Sequence, residues 1–503
     1  VCGASGFCDD ACGAAERVDG NVGCRFSAVP LLNHEVLGEW TSFRVTVGNT
    51  DPVEAANVTI VRGERVVAQG EVPPGGAQGF TLPWIEEMTF RIGTGYSGDA
   101  VSLYESFATP NGVYEIRSDR PVVAYQHAPG KSIADAGTGD ASLLLPHHAL
   151  SGRFRAISWP PHVFNDRDSA PPYVVVAPAG QRRVSVEVTS PVALVDAAGL
   201  WSGVAAGDRF SFDLEPNTVV HILPVDPRRC AERTPGAVRS PYNPKRSVCP
   251  FPDHDLTGLE IRGDGPLVVF SGHFEAQIPI EIHVQDHLEE QVPPVEAWGS
   301  EYVLAPVGDF GKFEHREQNV ARILGGDEAI QVSFRPAIDG MLEAEVPAGE
   351  FLQIRFDRPV TVESEDAFLV AQFMVGSGLG FDPDDEETPP LGDPSMFHPP
   401  PVDQFRNRYA FSVEDTFPRR GRHYVVVIRP RDSEVTLDGE VLGGADWRPA
   451  GAGGYQWRFV EVEPGPHLAT SENSFGLVVS GVGHAGSYAY AGGTDLRNIV
   501  DLR

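Results

Sequence analysis

One pattern recurs four times along the chain and restricts its fold more than any other feature. Paired strand-like segments are followed by a glycine turn, then a polar bend, then a run of apolar residues. The paired segments read "NVTIVRGERVVAQGEV", "RVSVEVTSPVALV", "AIQVSFRPAIDGMLEAEV" and "EVTLDGEVL". The glycine turns open "VPPGGAQGFTLP" at Val72, "VAAGDRFSFDL" at Val204, "VPAGEFLQIRF" at Val346 and "VEPGPHLATS" at Val462. The closing runs are "RSDRPVVAYQH", "RGDGPLVVFSGH", "ESEDAFLVAQF" and "SENSFGLVVSGVGH". Val, Ile, Phe and Thr alternate with polar residues in the strand-like runs, the period of a strand with one buried face. The bend residues Asp119, Asp264, Asp366 and Asn473 recur at intervals of about 100 residues or somewhat more, which suits a β-sandwich. A propeller blade needs only about 40 to 50 residues.

These observations predict an all-β chain of tandem, Ig-like β-sandwich repeats, about four in number, with a propeller of enlarged blades as the alternative. The repeats are placed at 31–130, 150–285, 296–380 and 402–503, behind a Cys-rich segment at 1–30. A length of 503 residues agrees with several domains. Because each sandwich buries its inner faces on its own core, chemistry is expected in loops or between units.

Cysteine usage points to an oxidising compartment. Cys2, Cys8, Cys12 and Cys24 are grouped near the start, and Cys230 and Cys249 flank a Pro- and Arg-rich loop. An even count grouped in this way reads as disulfides in an exported protein, with Cys230 paired to Cys249. The four N-terminal cysteines allow three pairings, which the sequence leaves open. Zinc is the rival reading, but Cys8-x-x-x-Cys12 has no second pair at finger spacing. The chain begins "VCGASG", without an initiator methionine or signal peptide, and is expected to be a mature or trimmed form.

The formal charge of -31 argues against nucleic-acid binding, since such a chain repels phosphate backbones. No apolar run is long enough to span a bilayer as a helix. Acidity also offers carboxylates to cations, and Asp382, Asp384 and Asp385 of "DPDDEE" are calcium candidates, although their spacing is not that of an EF-hand.

The constellations that resemble catalytic motifs do not hold up. His283, Asp286 and His287 spell H-x-x-D-H within "IEIHVQDHLEEQVPP". A zinc site of that spacing needs one helix face, whereas the alternation around His283 is that of a strand. Asp286 and Glu289 read as a capping box for a short turn, making this stretch an inter-domain connector. His147-His148 reads as a loop pair. "GDPSM" at Gly392 is like an autocleavage G-D-P-H, with Ser395 in place of the histidine. G-x-S-x-G and G-x-x-x-x-G-K-[ST] are absent, and "APGKS" lacks the first glycine of a phosphate loop. Asn57 opens a glycosylation sequon. Trp159, Trp201, Trp447 and Trp457 are expected mainly in sandwich cores, with stacking on sugars as the alternative.

Several stretches together carry a family resemblance: "GFCDDACGAAERVDGNVGCRFSAV", "DHLEEQVPPVEAWGSEYVLAP", "GDPSM", "QFRNRYAFSVEDTF", "VTLDGEVL" and "SFGLVVSGVGHAGSYAYAGGTDL". The chain resembles the IgGFc-binding protein N-terminal domain family over almost its whole length, and most of all its exported bacterial members of the myxobacterial kind. Gln285 stands where relatives often carry a cysteine, which removes the local disulfide the resemblance would imply. What the resemblance implies is an exported surface or matrix protein. The leading functional expectation is a non-enzymatic extracellular structural or adhesion protein that self-associates, without cofactors other than calcium. Its partners are expected to be other copies, other extracellular proteins or glycans. A glycan- or protein-binding module is the second reading, and a hydrolase with a site between units is the third.

Overall fold

Each repeat closes on a long apolar run, and in the structure these runs form the longest strands, which organise everything around them. The computed structural model describes residues 10–33, 41–89, 105–132, 139–164, 168–227, 237–239, 247–282, 284–308, 318–376, 392–417, 421–444, 446–451, 454–483 and 486–499. In the first unit Tyr114–Ser132 serves two sheets. Its first half pairs with Ala56–Arg62 and Gly23–Ala28, and its second half with Thr41–Asn49 and Asp140–Leu144. Arg65–Val72 and Ala77–Leu82 complete the two outer edges. The result is a sandwich of two four-stranded antiparallel sheets that share one bent strand.

The other three units repeat this plan. Val360–Met374 and Gly465–Gly483 are the shared strands of the third and fourth. In the second unit the strand is interrupted into Glu260–Gly263 and Leu267–Gln277 at the bend that holds Asp264. The bends are where the sequence marked the repeat. Asp119 accepts from the backbone N–H and side-chain amide of Asn57 at 2.8 and 2.7 Å, and Asp264 accepts from the Ser185 N–H at 3.0 Å. Ser118, Ser364 and Ser471 each accept from the N–H two residues on, at 3.3 Å. In the third and fourth units a tyrosine at the start, Tyr302 or Tyr409, donates to the carbonyl of Phe368 or Phe475 and packs on its ring.

The glycine-turn alignment needs correction in two units. "VAAGDRFSFDL" leads into Arg209–Leu214, the outer-edge strand of the second unit, while the equivalent of "VPPGGAQGFTLP" is the turn before Val219–Ile222. "VEPGPHLATS" leads into the long strand of the fourth unit, one strand late. Successive antiparallel strands share the same alternation and turn residues, so a one-strand slip leaves the pattern intact.

One strand of each unit is buried on both faces at the centre of the molecule: Asp140–Leu144, Gln285–Gln291, Ser395–Phe397 and Gly486–Ala491. Each is the innermost strand of its unit, paired on one side with that unit's long strand. Asp140–Leu144 also packs against Gln285–Gln291 and Gly486–Ala491, and Ser395–Phe397 packs against those same two. The inner strands therefore close a ring, and the sandwiches radiate from it like thick blades. Burial on both faces explains why the inner strands lack the in-out alternation of outer strands such as Ala56–Arg62 and Val184–Thr189. The ring is latched between its ends, where the Asn21 N–H donates to the Thr494 carbonyl at 3.0 Å and the Thr494 N–H to Asn21 Oδ1 at 3.2 Å. Phe107–Thr109 adds an edge to the second unit's sheet by pairing with Val219–Ile222.

Two neighbouring units are locked by a buried cation. The Arg322 guanidinium, 3% exposed, lies 2.7 Å from Asp255 and 2.8 Å from Thr257, between the rings of Trp159 and Phe351. Trp159, Trp201 and Trp457 are core residues, and Trp447 is partly buried beneath Arg429. Among the described residues no helix is long and apolar enough to cross a membrane.

Candidate functional site

The sequence places acids where the fold places its centre. Asp140 opens the first inner strand, and its carboxyl collects backbone N–H groups from all four units. Oδ1 accepts from Ala141 at 2.9 Å and Ala489 at 3.4 Å; Oδ2 accepts from Met396 at 2.9 Å and Glu289 at 3.4 Å. Asp286 begins the corresponding stretch of the second unit and accepts from the N–H groups of Gly139 at 2.5 Å and His287 at 2.8 Å. Asp393 holds that position in the third unit, and its N–H donates to Ser487 of the fourth at 2.8 Å.

Glu289 and Glu290 thicken this acidic centre. The Gln126 amide donates to Glu289 Oε1 at 3.3 Å, and His287 Nε2 lies 3.4 Å from Glu289 Oε2 and 3.3 Å from the Tyr173 hydroxyl. That hydroxyl gives its proton to the Leu288 carbonyl at 2.7 Å. The approach is close: a Cβ on Gly272 would stand 2.0 Å from that carbonyl oxygen. Burial raises the carboxyls of Asp140, Asp286, Glu289 and Glu290 well above their ordinary values. Mutual repulsion adds to this, from Asp393 and Asp140 on Asp286 and from Asp140 and Glu289 on Glu290. Backbone N–H groups oppose the rise at Asp140 without cancelling it. The centre is thus a set of acids held towards the neutral form, in which a carboxyl can both donate and accept.

A pocket opens where the four inner strands end. It has a volume of about 40 Å³ and is lined from the second unit by Glu290 and Gln291, and from the third by Trp298 and His398. Leu145 and Leu496 contribute apolar wall from the first and last units. Four polar atoms of the lining residues have no hydrogen-bond partner: Glu290 Oε2, Gln291 Nε2, Trp298 Nε1 and His398 Nε2. Sequence reasoning missed this site, because its residues come from four stretches about a hundred positions apart and no local pattern joins them.

The predicted site residues fare unevenly. The sequence reading of Asp286 and Glu289 as a capped turn is overturned: Gln285–Gln291 is a strand. The Asp-x-x-Glu signature is local, whereas burial between two neighbouring inner strands decides the conformation here. His283 and the calcium candidates Asp382, Asp384 and Asp385 lie outside the described residues. Among the described residues no group of three His, Cys, Asp or Glu side chains is placed to hold a metal. His147 sits in a 3₁₀ turn, 2.9 Å from the Ser27 hydroxyl, and burial lowers its pKa to about 4. "APGKS" falls within the first long strand, and Asn57 of the sequon is engaged with Asp119. Cys12 is bonded to Cys24, which selects a pairing the sequence left open. Cys249 is also disulfide-bonded, while Cys2, Cys8 and Cys230 lie outside the described residues.

Comparison with known proteins adds two findings. The family model described as IgGFc binding protein matches residues 140–481, from the axial aspartate to the last long strand. The human PDZ and LIM domain protein 3 is 30% identical over 133 residues, covering 26% of this chain and 32% of that protein. The chain thus spans about a third of that relative's length, too little to assign a fold or a role. The family match covers more than half of the chain, and the chain belongs to the IgGFc-binding protein family.

Proposed function

We propose that this member of the IgGFc-binding protein family is an exported, non-catalytic binding and adhesion module, in which four sandwiches act as one rigid ring. The observation that carries the reading is the use of Asp140. A carboxyl engaged by N–H groups from four units serves to hold the ring together, and it is 2% exposed. The other central acids are equally enclosed, and only Glu290 reaches the pocket. A glycosidase-type site would place two carboxyls about the scissile bond. The hydrolase reading is therefore less well supported than binding.

Disulfides at Cys12–Cys24 and at Cys249 favour an oxidising, extracellular location. An exported bacterial source is the origin that the family resemblance favours. Self-association is favoured by the outer-edge strands Arg65–Val72, Met341–Val346 and Glu440–Val441, which occupy equivalent places in three units. They expose Val66, Leu342 and Val441, and an exposed apolar edge is a template for pairing with another chain. The family description names immunoglobulin Fc, which makes Fc one protein ligand to try; glycans are the alternative.

Sedimentation velocity over a concentration series, with and without calcium, tests the reading. Reversible association that Leu342→Lys, Val66→Lys and Val441→Lys together abolish is expected. A strictly monomeric chain that also fails to retain Fc or any glycan of an array would sink it.

A further inference from the structure

The second unit presents its outer edge in a form that the other three units do not. Arg65–Val72 and Met341–Val346 pair irregularly with their neighbours, with register shifts between Ile60 and Val61 and between Ser333 and Ile338. Glu440–Val441 is two residues long. Bulges and short strands are common means of blunting an edge. Arg209–Leu214 has neither. All six of its residues pair in unbroken register with Val184–Thr189. Among the described residues no strand pairs with its other side, and no other backbone group bonds to it. A strand left in that state carries N–H and C=O groups aimed outward, ready to accept another strand.

The side chains show which strand fits. Alternation puts Arg209, Ser211 and Asp213 on the exposed face, and Phe210, Phe212 and Leu214 on the face turned towards the core. Arg-Phe-Ser-Phe-Asp is therefore self-complementary about Ser211. Laid antiparallel against a second copy of itself, the strand brings Arg209 opposite Asp213 twice and Phe210 opposite Phe212 twice, and Ser211 meets its own counterpart on the two-fold axis. Each charge already has an exposed partner on the neighbouring strand, Arg183 beside Asp213 and Glu187 3.5 Å from Arg209. Across two copies these become a row of alternating sign: Arg183 and Asp213 of one, then Arg209 and Glu187 of the other. Opposite charges support an antiparallel pair, and like charges directly opposite destabilise it. The edge of the third unit shows the contrary case, since Glu343 would face Glu345 if that strand paired with itself about Ala344.

We infer that Arg209–Leu214 is a homodimerisation edge, at which two copies join antiparallel about Ser211 and merge two four-stranded sheets into one. The inference rests on the reading above only in that copies associate. The lysine substitutions named there act on the apolar edges of the other units, through which dimers associate further, whereas the substitutions below act on the dimer.

The test is sedimentation velocity over a concentration series on the full chain carrying Arg209→Glu, Asp213→Arg, or both. Symmetry counts each change twice, so either single reversal should weaken the dimer about tenfold or more. The double reversal restores opposite charges at both places and should dimerise as the wild type does. An equimolar mixture of the two single variants should also dimerise at concentrations where each alone is monomeric, because the acid introduced in one copy faces the arginine introduced in the other. A fold damaged by either substitution could not recover in the mixture. Under mild oxidation Ser211→Cys should form a disulfide-linked dimer, and Ser185→Cys, one strand further in, should not. The inference is overturned if the wild type stays monomeric, if a single reversal leaves the dimer intact, if the mixture associates no more than its components, or if Ser211→Cys links no faster than Ser185→Cys. A monomeric wild type would mean that the edge takes a strand from another protein or none, and would leave the Fc and glycan readings standing. Association that the three lysines abolish and the charge reversals leave unchanged would keep self-association and refute this edge.

Discussion

Replacing Asp140 with alanine probes the whole ring through one side chain. The magnitude follows from the bonds removed. The N–H groups of Ala141 and Met396, both at 2.9 Å, lose their acceptor in a region no solvent reaches. An orphaned buried donor costs about 1–3 kcal/mol, so these two account for about 2–6 kcal/mol. The bonds from Glu289 and Ala489, both at 3.4 Å, add little. Asp140→Asn keeps an oxygen for one pair of donors and turns its NH2 towards the other, so it should cost about 1–3 kcal/mol.

Denaturant unfolding gives the order wild type, Asp140→Asn, Asp140→Ala. Hydrogen exchange gives the more discriminating result. Because the two close bonds fasten the inner strands of the first and third units, on which those of the second and fourth pack, Asp140→Ala should reduce protection at 140–144, 285–291, 395–397 and 486–491 together. The outer strands, whose ladders are untouched, should keep theirs. Loss confined to the first unit, or a cost under about 0.5 kcal/mol, would show that apolar packing holds the axis and that the carboxyl is incidental.

Two further perturbations address the neighbouring interface and the acidic centre. Asp255→Ala leaves the Arg322 guanidinium buried and unpaired and should cost about 3–5 kcal/mol, read from the urea midpoint. Adding Arg322→Met should recover most of that loss, and a double variant no better than the single would contradict the account. Glu290 has its folded-state pKa raised above the ordinary 4.5, so its contribution to stability is complete below that value and declines as pH rises through the folded one. Glu290→Gln removes the decline, so its melting temperature relative to wild type should increase from pH 5 to pH 8; a constant or falling difference would refute the assignment.

Strand content and the fourfold plan were legible because exposed and buried positions alternate in the outer sheets. Ala56–Arg62 and Val184–Thr189 show that alternation in sequence and in burial alike. The inner strands were not legible, for the opposite reason. Asp286 and Glu289 read as a capping box for a short connector turn in a local window, and only the packing of neighbouring strands on either side makes the stretch a buried strand. The pocket is further still from sequence reasoning, since Gln291 and His398 meet there only through the packing of strands from different units. The glycine turns misled in two units because a turn residue records that the chain reverses, not which pair of strands it joins.

The buried acids also answer a problem that the ring architecture creates. A strand covered on both faces has no solvent side, so a slip of one residue costs it less than it costs an outer strand. Asp140 restores the penalty. Its two oxygens meet N–H groups of three other inner strands, and a one-residue slip in any of those would turn the N–H away and leave both partners buried and unpaired. An apolar side chain of the same size would pack as well and specify less, the role best attested for buried polar groups elsewhere. Fixing the strands in register also fixes where they end, and that places Glu290, Gln291 and His398 around one pocket. On this account the acid at the axis sets the register, and the register builds the site.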